Sequence, residues 1–131
     1  MTFRHPVRVY WEDTDAGGIV FYANYLKFFE RARTEWLRSL GVEQGTLREK
    51  TGGMFVVLET SVRYRRLARL DDELLVTAAL QQAGGASFVI AQQALRADEL
   101  VCEGTIRIGW VQAATLRPAR IPPIILEALE Q

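Results

Sequence analysis

One cysteine and one histidine in 131 residues remove several chemistries at the outset. Cys102 has no second thiol in the chain, so an intrachain disulfide is excluded. Its setting, Glu99-Leu100-Val101-Cys102-Glu103, reads as a strand, which predicts a buried, inert thiol. One Cys and one His cannot complete the usual zinc site, which leaves carboxylates for any metal binding. His5 precedes the first expected strand, so a Ser-His-Asp triad has no base where it needs one and His5 is expected on the surface. Ser39, Ser61 and Ser87 lack a nucleophile-elbow context and are expected to be ordinary hydroxyls.

Charge of one sign is missing too. Sixteen basic and sixteen acidic side chains cancel, so no overall field favours nucleic acid and any anionic ligand must be held locally. No uninterrupted apolar run is long enough to cross a bilayer, and Met1-Thr2-Phe3-Arg4-His5-Pro6 lacks the apolar core of a signal peptide. A cytoplasmic protein without membrane insertion is the expectation. About half the residues are apolar, which suits one domain spanning 1–131 with a substantial core.

The patterning predicts an α+β chain. Val7-Arg8-Val9-Tyr10-Trp11-Glu12 is rich in β-branched and aromatic residues and reads as a first strand. Asp13-Thr14-Asp15-Ala16-Gly17-Gly18 then reads as a sharp loop. Tyr25, Phe28, Phe29, Ala32, Trp36, Leu37 and Leu40 recur at three- and four-residue intervals, predicting one long amphipathic helix with Asn24 as N-cap and Gly41 as its stop. Arg31 and Glu35 are spaced for an i,i+4 ion pair. Met54 to Arg65, Glu73 to Gln82, Ser87 to Arg96 and Val101 to Ala113 read as a meander of strands, with turns at Gly84-Gly85 and Ala97-Asp98-Glu99. Pro118, Pro122 and Pro123 end the regular region, and Ile124 to Leu129 reads as a short terminal helix. Without βαβ crossovers the sheet must be antiparallel, five strands curling around the central helix, with exposed edges that invite self-association.

The loop before the helix concentrates the chemistry. Two carboxylates, two glycines and a helix N-terminus follow one another between Asp13 and Tyr25. Glycine lets backbone approach a ligand, and the first helical turn offers free N–H groups and a positive dipole end to a developing oxyanion. An EF-hand beginning at Asp13 needs glutamate at its twelfth position, where Asn24 stands. A phosphatase-type Asp-x-Asp-x-Thr motif needs threonine where Gly17 stands, and a parallel sheet. Both fail. Asp13 is expected to shape the turn; for Asp15, spacing alone leaves turn-shaping and reactivity evenly matched.

From Val9 to Leu37 the chain resembles the 4-hydroxybenzoyl-CoA thioesterase family, and within it the Tol-Pal-associated, YbgC-like branch. The resemblance rests on Asp13, Asp15, Gly18 and Val20 as an Asp-x-Asp-x-x-Gly-x-Val stretch, followed by the helix Tyr25-Leu26-Lys27-Phe28-Phe29-Glu30-Arg31-Ala32-Arg33-Thr34-Glu35-Trp36. Ala68 to Leu74 resembles the family's strand-connecting turn. The resemblance implies a hotdog fold and an acyl-CoA thioesterase acting on short-chain or aromatic acyl groups, with acyl carrier protein as the other possible thioester carrier. It implies Asp15 as the catalytic carboxylate, as nucleophile or general base, and the Tyr22 N–H as oxyanion donor. Gly18 would bring the loop close to the thioester, and Val20, Asn24 and Tyr25 are carried along as substrate-binding candidates. Many YbgC-like proteins have histidine where this chain has Tyr22, whereas the hydroxybenzoyl branch has tyrosine.

Coenzyme A phosphates draw attention to Arg63, Arg65, Arg66 and Arg69, of which Arg63 and Arg65 would share one strand face. The hydroxybenzoyl branch has basic residues at the turn occupied here by Gly84-Gly85-Ala86, so Ser87 is the polar candidate that remains there. Glu30 and Glu35 are competing carboxylates on the helix. No metal or redox cofactor is expected, and a homodimer or homotetramer is. A hydratase of the same fold would want a histidine that this loop lacks. A non-catalytic acyl-thioester sensor or scaffold is the alternative function.

Overall fold

The computed structural model describes residues 2–130; Met1 and Gln131 lie outside the described residues. Its strands are β1 (Phe3–Arg8), β2 (Gly53–Tyr64), β3 (Glu73–Ala83), β4 (Ser87–Arg96) and β5 (Glu99–Gln112), and its helices α1 (Asn24–Ser39), α2 (Gln44–Thr51) and α3 (Pro123–Leu129). All strand pairs are antiparallel, in the order β1-β3-β4-β5-β2. The five-stranded sheet around α1 is the hotdog arrangement.

α1 forms for the reason its spacing suggests: Tyr25, Phe28, Phe29, Ala32, Trp36 and Leu37 are all buried on one stripe. They join Leu74, Val76, Phe88, Ile90 and Ile106 from the sheet in a single core cluster. Gly41, at φ 86°, ends the helix; its N–H donates to the Arg38 carbonyl and that of Val42 to the Leu37 carbonyl, the Schellman pattern. At the other end Ala23, not Asn24, occupies the N-cap, and the Asn24 amide instead donates to the Asp13 carbonyl at 2.9 Å.

Several expectations shift. The first strand lies earlier than Val7 to Glu12, because Tyr10 to Asp13 turns away as a short 3-10 segment (Trp11–Asp13). His5 therefore sits inside β1, opposite Val76. β2 does not join a meander with β3. It crosses to the far edge beside β5, leaving only β3, β4 and β5 as consecutive neighbours. Glu35 pairs with Arg38 rather than Arg31, whose guanidinium instead lies 6.0 Å from the Phe28 ring centroid. No helix among the described residues is long and apolar enough to cross a membrane.

Candidate active site

The chain between β1 and α1 is a small hairpin pinned to the fold at both ends. Asp13 is buried, and its Oδ2 accepts the Tyr10 N–H at 2.8 Å, so this carboxylate shapes the turn. Thr14 then pairs with Val20 across the hairpin. The Asp15 N–H donates to the Ile19 carbonyl at 2.9 Å, and the Gly18 N–H donates to the Asp15 carbonyl at 3.0 Å. Ala16, Gly17 and Gly18 thus reverse the chain, with Gly18 at φ 77°, where a side chain would be strained. The turn at Ala68 to Asp72 holds the hairpin from behind: Val20 donates to the Ala68 carbonyl, Leu70 donates to the Gly18 carbonyl, and Ile19 bridges Arg69.

Asp15 stands exposed at the hairpin tip. Its Oδ1 accepts the Gly17 N–H at 2.8 Å, and Oδ2 has no partner among the described residues. The carboxylate lines a cleft of about 340 Å³ with Trp11, Thr14, Ala16, Gly18 and Leu70. None of these residues is a cation, so the cleft suits a neutral electrophile flanked by apolar surface rather than a phosphate. Trp11, 81% exposed, forms its open wall. A larger cleft, about 430 Å³, lies at the opposite end of α1 beside Leu40, Leu47 and Ile125 and contains none of the loop residues.

Seven residues beyond Asp15, the loop meets the helix. The Asn24 N–H donates to the Phe21 carbonyl at 2.8 Å, closing a turn through Tyr22 and Ala23, whose own N–H groups have no acceptor among the described residues. These are the free donors every helix start presents, at its positive dipole end. The Tyr22 side chain is exposed and is not part of the Asp15 cleft wall; its ring meets Tyr64 edge-on at 6.1 Å. The Tyr64 hydroxyl donates to the Tyr22 carbonyl at 3.1 Å.

The remaining candidates fall into two groups. Val20 and Tyr25 are taken up by the core, and the Tyr25 hydroxyl accepts the Ala68 N–H at 3.2 Å. Burial pushes that phenol's pKa above its ordinary value. With the Asn24 amide occupied by Asp13, these three hold the loop rather than face the cleft. Arg63 and Ser87 lie elsewhere. Arg63 points to the opposite face of β2 from Tyr64, into a shallow trough beside Thr77, Gln93 and Glu103. Ser87 begins β4 and accepts a bond from Arg107, while the other end of that strand, Arg96, is the one that reaches the Leu67 carbonyl next to the loop. Nine residues of strand span roughly 30 Å, so Ser87 cannot reach Asp15 of its own chain. Arg65 is paired with Glu103 and Arg66 with Glu99. Glu30 accepts from Thr34, and Glu35 is ion-paired.

Trp11, Leu70 and Tyr64 are not among the residues the sequence marks for the site. In the sequence Trp11 reads as part of a strand, although an exposed aromatic beside an acidic turn is a usable signal. Leu70 and Tyr64 reach the loop from 52 and 42 residues away, respectively, measured from Gly18 and Tyr22, and carry no local mark.

Among the described residues, no group of three or more His, Cys, Asp or Glu side chains is placed to hold a metal ion.

Comparison with known proteins finds relatives over most of the chain. The model of the thioesterase-like superfamily matches residues 9–129. The chain is 42% identical over 120 residues to the acyl-CoA thioesterase YbgC of Haemophilus influenzae, covering 92% of this chain and 88% of that protein. It is 39% identical over 130 residues to the acyl-CoA thioester hydrolase YbgC of Escherichia coli, covering 98% and 96%. Among solved structures, a probable thioesterase from Bartonella henselae superposes with a TM-score of 0.89 at 30% identity, covering 93% of this chain and all of that one.

Proposed function

The chain belongs to the thioesterase-like superfamily, and from that membership we propose that it hydrolyses the thioester bond of a short-chain or aromatic acyl-CoA to free acid and coenzyme A. Acyl carrier protein is the other carrier this chemistry admits. The observation that carries the reading is the exposed Asp15 carboxylate, one oxygen oriented by the Gly17 N–H and the other without a partner among the described residues, on the same short loop as the Tyr22 N–H, which has no acceptor among them.

A thioester carbonyl is more electrophilic than an ester because sulfur donates little resonance into it. Its leaving thiolate is tolerable, since a simple thiol has a pKa of roughly 8.5. Asp15 acts in one of two ways. It attacks the carbonyl carbon, expelling thiolate and leaving a mixed anhydride that water hydrolyses; or it removes a proton from water, which attacks directly. In both, the Tyr22 N–H receives the negative charge that develops on the carbonyl oxygen.

The working unit is a homodimer or homotetramer. β2 is a sheet edge with exposed Val57 and Leu58, the surface a second copy would cover. Arg63 and Ser87, remote from Asp15 within one chain, fit the reading only as contributions from a second subunit. Sedimentation of the purified protein as a monomer at assay concentration would remove that element.

Thiol release from a panel of acyl-CoAs by wild type and Asp15→Asn tests the chemistry. The substitution keeps the fold and cuts turnover by at least ~100-fold, as loss of a nucleophile or general base does. Equal turnover in the two would take Asp15 out of the mechanism; loss on substituting Glu30 or Glu35 instead would move the chemistry to the helix.

One observation favours the alternative of an acyl-thioester sensor or scaffold: the Asp15 to Gly17 bond is also what a purely turn-shaping aspartate makes. A sensor binds acyl-CoA and releases no thiol, with or without Asp15.

A further inference from the structure

Tyr64 closes β2, and its side chain faces the helix start from 42 residues away. Its hydroxyl reaches the Tyr22 carbonyl at 3.1 Å, while its ring packs edge-on against Tyr22 and at 5.7 Å against Tyr25. Tyr25 is itself fixed, buried in the core with its hydroxyl on the Ala68 N–H. Tyr64 is therefore a strut between a strand end and a turn.

The turn needs one. Tyr22 precedes the N-cap, so its carbonyl lies outside the helical ladder, and the Leu26 N–H donates to Ala23 at 3.1 Å. Among the described residues, the Tyr64 hydroxyl is the one donor to the Tyr22 carbonyl. Tyr22 and Ala23 are the two central residues of the turn closed by Phe21 and Asn24, and their N–H groups have no acceptor among the described residues. The Tyr22 carbonyl and the Ala23 N–H share one peptide plane, so rotation of that peptide would swing the Ala23 N–H. Donation to the carbonyl side of a peptide also polarises its N–H, so the bond to Tyr22 strengthens the Ala23 donor.

We infer that Tyr64 is the positioning residue of the oxyanion turn, its hydroxyl holding the Tyr22 carbonyl so that the N–H of the same peptide, that of Ala23, stays aimed at the thioester oxygen beside the Tyr22 N–H. The inference rests on the thioesterase reading above. Tyr64 touches no reacting atom in this role. A sub-ångström drift of prearranged donors is enough to lower a rate without altering substrate affinity, because the donors matter most when charge has developed.

Tyr64→Phe keeps the ring and both of its aromatic contacts and deletes one oxygen. Expected are a fall in kcat of roughly 5- to 10-fold, the factor one hydrogen bond commands, a KM within about twofold of wild type, and a nearly unchanged thermal midpoint. In ¹H–¹⁵N spectra the Ala23 amide proton moves upfield, a change read in the folded protein whether or not stability shifts. An unchanged kcat, or a rise in KM alone, overturns the inference, the latter because it marks a substrate contact. Asp15→Asn run in parallel separates the failures. If it abolishes turnover while Tyr64→Phe does nothing, only the strut is lost; if it leaves turnover intact, the Asp15 reading beneath it fails.

Discussion

The side-chain nitrogen of Gln92 donates to the backbone carbonyl of Phe29 at 2.9 Å and also reaches the Thr77 carbonyl at 3.1 Å. Gln92 lies in the middle of β4 and is 1% exposed, so a fully buried amide ties the centre of α1 to two strands of the sheet. A polar group at such a depth is tolerated because its hydrogen bonds are made. Gln92→Leu keeps the volume and deletes the donor. It is expected to lower unfolding free energy by roughly 1 to 3 kcal/mol through the buried hydrogen bonds it removes, measured by urea titration. Equal stability would show that the helix needs no such tie.

Glycine substitutions separate two kinds of cost. A Cβ on Gly104 would sit 2.6 Å from the Ser61 carbonyl oxygen and 3.3 Å from the Phe29 ring, so Gly104→Ala must push β2 away from β5. A loss of about 1 to 3 kcal/mol, typical of overpacking, is expected. A Cβ on Gly18 meets nothing within 4 Å, yet its φ of 77° is one an L side chain resists. Gly18→Ala is expected to cost about 1 kcal/mol through backbone strain alone, and a thermal melt of the two variants side by side checks the order.

The turn behind the Asp15 hairpin is fastened by an acid-sensitive cluster. Arg96 donates to the Leu67 carbonyl at 2.9 Å and to Asp72 at 2.8 Å, and is paired with Glu99. Burial by itself raises the Asp72 carboxyl, but the Arg69 N–H, the Arg96 guanidinium and the charge of Arg69 together bring it below its ordinary value. The hydrogen bond from Arg96 likewise lowers Glu99. A carboxyl depressed in the folded state contributes stability above its unfolded pKa, about 3.9 for aspartate, and loses it as pH falls through the folded value. The melting difference between wild type and Arg96→Met should therefore be full above about pH 5 and shrink with acid. The share due to the Leu67 carbonyl persists. A difference that does not vary with pH would detach the carboxylates from the effect.

Cys102 is fully buried, and burial pushes its thiol up to about 12. Ellman's reagent at mildly alkaline pH should leave it untouched in the native protein and titrate it on addition of denaturant. Thiol detected in a turnover assay is then coenzyme A alone. Reaction of the native protein at the rate of a free thiol would contradict this burial.

What the sequence disclosed follows the range of the forces involved. α1 was legible because its apolar stripe repeats within one turn and its stop, Gly41, is local. α2 was not, since Gln44–Thr51 offers Leu47 as its one apolar residue and has no buried face to announce itself. The early start of β1 was hidden by Pro6 and by aromatic Tyr10 and Trp11, which suit a strand in composition but stand in a turn held by Asp13. β2 was visible as a strand, yet its place beyond β5 depends on pairing with residues some fifty positions later. The Asp15 to Tyr25 loop stood out by composition. Tyr64 and Leu70, which complete its surroundings, arrive through tertiary contacts that no short pattern encodes.

Of the three tryptophans, Trp36 and Trp110 are sealed in the core while the Trp11 indole stands in solvent at the Asp15 cleft. The molecule thus carries its own optical reporter. Long-wavelength emission, and the fraction quenched by acrylamide, belong to the mouth of that cleft, and an occupant there announces itself by a blue shift without any label.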